Sequence, residues 1–117
     1  MEGFRVLLVD DEEEFSSTLA ERLNMRGFST LISSGGEEAL GMIDACQPQV
    51  VLLDMMMPGL GGKDVLAEIK RKHPDILVIF LTGLSHGEPG PERVDYLIKP
   101  VNIDELIQKI RSISARG

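Results

Sequence analysis

Gln49-Val50-Val51-Leu52-Leu53-Asp54-Met55-Met56-Met57-Pro58-Gly59 is the stretch that decides the fold. Val50 to Leu53 are four large aliphatic residues in succession, with no polar face between them. Such a run reads as a strand covered on both sides, the situation of a central strand in a parallel sheet. Asp54 follows directly, and Pro58-Gly59 turn the chain. A carboxylate is therefore expected on the rim of a rigid sheet, at the carboxyl end of a strand. Open α/β sheets gather their chemistry there.

Working outward, strand-like and helix-like patterns alternate. Upstream, Phe4 to Val9 and Phe28 to Ser33 read as strands, the second less apolar and so expected at an edge. Between them Phe15, Leu19 and Leu23 recur at helical spacing, and Gly27 ends that helix. Ala39, Leu40 and Ile43 give a second helix, stopped by Pro48. Downstream, Val65, Leu66 and Ile69 line a helix over Lys63 to Lys72, with Pro74 just past its end. Ile76 to Leu81 is another doubly buried strand, closed by Thr82, and Val94 to Ile98 is a short fifth one. Ile103, Leu106, Ile110 and Ile113 line the last helix. Capping-box spacings are read at Asp11/Glu14, Ser34/Glu37 and Asn102/Glu105. The pattern breaks in Gly83 to Arg93, which carries Gly87, Pro89, Gly90 and Pro91. An interior Pro costs a helix ~3 kcal/mol and a Gly ~1 kcal/mol, so a regular helix is not expected there. Strands alternating with helices imply βαβ units with right-handed crossovers. The expectation is one doubly wound α/β domain with a five-stranded parallel sheet over residues 1–117.

Composition narrows the function. Of 117 residues, 43% are hydrophobic and 26% charged, ordinary values for a globular domain. The net charge is −7, with Lys70-Arg71-Lys72 as the basic tract. That excludes non-specific nucleic-acid binding, which needs clustered positive charge. No apolar run reaches the ~18 residues that would cross a membrane. No leader is read before the first strand, and the cytoplasm is the expected location. A single cysteine, Cys46, has no internal disulfide partner and is expected as a small core residue.

Four strands end in a polar group that can do chemistry: Asp10 and Asp11, Asp54, Thr82, and Lys99. A parallel sheet brings all these ends to one rim. Three carboxylates packed together repel one another unless a cation intervenes, and a hard divalent ion such as Mg²⁺ suits them. A carboxylate beside a metal, an ammonium and a hydroxyl is a phosphoryl-transfer site in outline, with Asp54 as nucleophile. Taken singly, each of these residues is more often a cap or a turn residue. Their succession at strand ends is what argues for a site.

Val6-Leu7-Leu8-Val9-Asp10-Asp11-Glu12, Leu53-Asp54-Met55-Met56-Met57-Pro58-Gly59 with Gly62, Phe80-Leu81-Thr82-Gly83 and Asp95-Tyr96-Leu97-Ile98-Lys99-Pro100 resemble, in this order, the motifs of the receiver domain of two-component response regulators. The resemblance covers essentially the whole chain. It implies a flavodoxin-like sheet with strand order 2-1-3-4-5, and a cis Lys99-Pro100 bond. It implies that Asp54 accepts phosphate from a phosphohistidine on a sensor histidine kinase or phosphotransfer protein. Asp10, Asp11, Asp54 and the backbone carbonyl of Met56 would hold Mg²⁺, with Mn²⁺ able to substitute. Thr82 and Lys99 would meet the phosphoryl oxygens, and Thr82 with Tyr96 would form the switch. Such a domain turns over only its own phosphoryl group and is not classed as an enzyme. It would signal to a downstream protein or output domain. It would be a monomer or a phosphorylation-dependent homodimer.

The chain departs from that family in two expected respects. The Gly/Pro-rich segment stands where the fourth helix belongs, so that helix is expected to be shortened or missing. Met56 and Leu84 are apolar where polar side chains could orient water, so a long-lived acyl phosphate is expected. Two rival readings are a degenerate receiver that binds partners without phosphate, and an enzyme of similar topology. A phosphatase would need an acid/base carboxylate after Asp54, where Met-Met-Met stands. A flavin protein would need a phosphate-cradling loop after strand one, where the acidic residues repel anions.

Overall fold

The computed structural model describes residues 3–55, 61–83 and 95–116. Nine elements follow one another: β1 (Arg5–Val9), α1 (Glu13–Met25), β2 (Ser29–Ser33), α2 (Gly36–Cys46), β3 (Val50–Asp54), α3 (Gly62–Lys72), β4 (Leu77–Thr82), β5 (Asp95–Ile98) and α4 (Ile103–Arg116). The strands form one sheet in the order β2-β1-β3-β4-β5, all neighbours parallel. Four helices are present among the described residues. Of the segment expected to have lost a helix, Gly83 to Arg93, residues 84–93 lie outside them.

The pleat sorts the core into two layers. Side chains alternate across a strand, so one parity faces each side of the sheet. Leu8, Leu52, Leu81 and Leu97 pack with Leu23 of α1 and Ile110 of α4. Val9, Leu53, Val65, Ile69, Phe80 and Ile43 form the other layer, beneath α2 and α3. All five residues of β3 are buried, which is why its sequence shows no alternation. β2 lies at the edge, with Leu31 and Ile32 exposed.

Local details correct three expectations. Asp11 does not cap α1. Glu12 takes the N-cap position, and its N–H donates to Asp10 Oδ1 (2.8 Å), so the turn is drawn by the carboxylate one residue earlier. At α2 the box is displaced by one residue: Gly35 is the N-cap, and Glu38 Oε1 accepts from Ser34 N–H (3.2 Å). Cys46 is exposed, because it lies in the last turn of α2, beyond Ile43, the last buried residue of that helix. The cap of α4 stands as read, with Glu105 N–H donating to Asn102 Oδ1 (3.0 Å). The Lys99-Pro100 bond is cis.

Candidate functional site

The same alternation that sorts the core builds the site. Leu8, Leu52 and Leu97 face α1 and α4, and two residues further along each chain stand Asp10, Asp54 and Lys99. Strand parity thus directs two carboxylates and one ammonium to the same side of the rim. Asp10 is 1% exposed and Asp54 4%. Main-chain bonds fix the strand ends against each other. Met55 N–H donates to the Leu81 carbonyl (3.1 Å), and Lys99 N–H to the Thr82 carbonyl (2.7 Å). Thr82 is 3% exposed and has the parity of Phe80, so the pleat alone would send its hydroxyl to the opposite layer.

Lys99 is the hub. Its Nζ lies 2.9 Å from Asp10 Oδ2, 2.7 Å from Glu12 Oε1 and 3.7 Å from Asp54 Oδ2. It also stands 4.6 Å from the centroid of the Phe15 ring, a cation–π distance. Burial by itself would lower the Lys99 pKa. The hydrogen bonds with Asp10 and Glu12 and the charges of Asp54 and Asp10 outweigh it and hold the ammonium above its ordinary range. Asp10 Oδ2 is sealed from solvent, and what faces it is the Lys99 ammonium at 2.9 Å.

Oxygens of Asp10, Glu12 and Asp54 all lie within 4.8 Å of one another. Three carboxylates against one ammonium leave a formal charge of −2, since −3 + 1 = −2. The donors are all hard oxygens, and two of the three carboxylates are buried. That set fits a hard divalent cation such as Mg²⁺. Of the expected site residues, Asp10, Asp54 and Lys99 meet directly. Asp11 is exposed and is not among the three clustered carboxylates. Tyr96 is 42% exposed on β5. Met56 and Leu84 lie outside the described residues. Glu12 was read only as the last residue of the opening acidic motif, with no role of its own. Its one signal in the sequence is its place two residues after Asp10, where the turn into α1 folds back toward the rim. Gly62 was read as part of a motif, without the packing that requires it. A Cβ there would lie 2.8 Å from the Asp54 carbonyl oxygen and 3.1 Å from Met55 Cα, so α3 packs on the site's own backbone.

The sequence pattern of the response regulator receiver domain matches residues 6–111. The chain is 40% identical over 120 residues to the transcriptional regulatory protein CpxR of Klebsiella pneumoniae, covering 97% of this chain and 50% of that protein. It spans about half the length of the curated relatives it matches. Among solved structures it resembles the response regulator TrrA of Thermotoga maritima in complex with Mg(2+)-BeF, with a TM-score of 0.84 at 35% identity, covering 96% of this chain and 98% of that one. It also resembles a response regulator receiver domain protein of Clostridium thermocellum, with a TM-score of 0.88 at 32% identity, covering 96% of this chain and 94% of that one.

Proposed function

Because this chain belongs to the response regulator receiver domain family, we propose that it is a phosphorylation-driven switch charged at Asp54. A sensor histidine kinase or a phosphotransfer protein supplies the phosphoryl group from a phosphohistidine. A carboxylate oxygen of Asp54 bonds to phosphorus while the P–N bond to the imidazole breaks. The bonding pair leaves with the imidazole nitrogen, and an acyl phosphate remains. Asp54 is suited to this because it is held rigidly at the end of a fully buried strand. Lys99 supplies positive charge to the phosphoryl oxygens and Thr82 a hydroxyl donor. Asp10, Asp11 and Asp54 would hold the divalent cation, with Glu12 beside them; Mg²⁺ is the natural occupant and Mn²⁺ a substitute. When bound, the cation neutralises the charge that phosphate adds to an already acidic hollow.

The observation that carries this reading is a single ammonium, 15% exposed, within ion-pairing reach of both Asp10 and Asp54. The charged state biases a distal face toward a second arrangement, which a downstream protein or output domain reads. The domain turns over only its own phosphoryl group, so it acts as a switch rather than an enzyme, and it does so in the cytoplasm. Among the described residues no helix is long and apolar enough to cross a membrane.

The test is incubation with acetyl phosphate and Mg²⁺. A mass gain of one phosphoryl group is expected on the wild type and none on Asp54→Asn. A wild type that gains nothing would make the chain a binding module that works without phosphate. Sizing before and after phosphorylation distinguishes a monomer from a dimer formed in the charged state.

A further inference from the structure

Lys99 is closer to Glu12 than to either carboxylate of the rim. The distances are 2.7 Å to Glu12 Oε1, 2.9 Å to Asp10 Oδ2 and 3.7 Å to Asp54 Oδ2. The Phe15 ring lies on the same ammonium, 4.6 Å to its centroid. Glu12 and Phe15 both belong to the start of α1, so Lys99, while paired with Asp10, is drawn toward that helix rather than onto Asp54. Glu12 is itself oriented, since its N–H is anchored on Asp10 Oδ1 (2.8 Å).

We propose that Glu12 is a positioning residue that parks Lys99 against the start of α1, so that the ammonium must give up this partner before it can bind a phosphoryl oxygen. The proposal rests on the phosphorylation of Asp54 put forward above. Its logic is competition between ligands for one cation. Coulomb attraction falls with distance, and a charge-assisted hydrogen bond of 2.7 Å is a stronger hold than a 3.7 Å contact. Whatever free energy holds Lys99 on Glu12 is subtracted from its hold on phosphate. Glu12 then sets how readily the site keeps the charged state. Its side chain is 63% exposed, which limits the strength of the latch and lets it be removed without loss of the fold.

Beryllofluoride at saturating Mg²⁺, a mimic of the bound phosphoryl group, provides the test by calorimetric titration. Glu12→Gln keeps the size of the side chain and removes its charge. It is expected to bind beryllofluoride about two- to fivefold more tightly than the wild type. Phe15→Leu, which removes the ring face and keeps an apolar side chain, is expected to move affinity in the same direction by less. In a Lys99→Met background the Glu12→Gln gain is expected to vanish, because the residue through which it acts is gone. A gain that persists in that background means Glu12 only repels the anion, and overturns the latch. Unchanged or weaker binding by Glu12→Gln at saturating Mg²⁺ overturns it too, and assigns Glu12 to the metal. A wild type that binds no beryllofluoride and takes up no phosphoryl group overturns the function and the latch together. A wild type that does both leaves the function standing, whatever Glu12→Gln shows.

Discussion

The two ends of the sheet treat polar groups in opposite ways. At the amino end, Arg5 N–H donates to Gln49 Oε1 (3.0 Å), Gln49 N–H to the Arg5 carbonyl (2.9 Å), and Leu77 N–H to the Gln49 carbonyl (3.1 Å). The Arg5 guanidinium donates to the Gln47 carbonyl through Nε (3.2 Å) and Nη2 (3.1 Å). Nearby, His73 Nε2 pairs with Asp44 Oδ1 at 2.8 Å, and this hydrogen bond draws the exposed Asp44 carboxyl below its ordinary pKa. These groups have near neighbours of opposite character, and charge does not accumulate. At the carboxyl end three carboxylates share one ammonium, two of them out of water. One end is electrostatically settled; the other stores repulsion that a cation or a phosphoryl group can relieve or reverse. A folded domain tolerates that imbalance only where something arrives to use it.

The contrast can be broken at its hub. Lys99→Met leaves Asp10 buried without its counter-ion, and chemical denaturation is expected to show a loss of about 3 kcal/mol. Adding Mg²⁺ is expected to return part of that loss, as a cation replaces the missing charge. The pH dependence has a definite sign. The folded Lys99 pKa lies above 10.5, so the stability it contributes is fully present below pH 10.5. The gap between wild type and Lys99→Met is expected to stay constant from neutral pH to that point. It is expected to close as pH rises through the folded value.

A second substitution sharpens the contrast without touching charge. Gly62→Ala places a methyl group against the backbone of Asp54 and Met55 and against the Phe80 ring, none of which can swing aside. A loss of about 2 kcal/mol is expected in thermal or urea unfolding. Slower acetyl-phosphate uptake is expected with it, because the strand end that carries Asp54 must shift. Asn102→Ala removes a neutral cap at the same end of the sheet and is expected to cost about 1 kcal/mol, with phosphoryl uptake at the wild-type rate. At the settled end, Arg5→Ala is expected to change stability by less than about 0.5 kcal/mol, leaving Mg²⁺ affinity by titration unaltered.

How far the sequence could be read follows the same division. β3 was legible because burial on both faces erases alternation, and β2 because its extra polarity marks an edge. The strand order came from the family resemblance, whereas the meeting of Asp10, Asp54 and Lys99 follows once parallel strands are recognised, since parity carries from the core out to the rim. That Glu12 joins Asp10 and Asp54 was not legible. Past Asp10, whose N–H still donates to the Ser33 carbonyl (3.0 Å), the pleat no longer dictates direction, and the Asp10 side chain itself bends the chain by accepting from Glu12 N–H. The close approach at Gly62 was hidden for a related reason. A glycine before a helix reads as punctuation, and only coordinates show backbone 2.8 Å from where a Cβ would stand. Cys46 misled because helical periodicity does not say where the sheet beneath the helix stops.

The sheet is also a partition. Leu52 and Leu53 are adjacent in the chain yet belong to separate compartments, one roofed by α1 and α4 and the other by α2 and α3. Substitutions in one compartment share no side-chain neighbours with those in the other, so their effects on stability should sum across the wall. Apart from Gly62, which packs on the Asp54 backbone, the α2–α3 storey can therefore drift in sequence while the α1–α4 storey, on whose side Asp10, Asp54 and Lys99 emerge, keeps its shape.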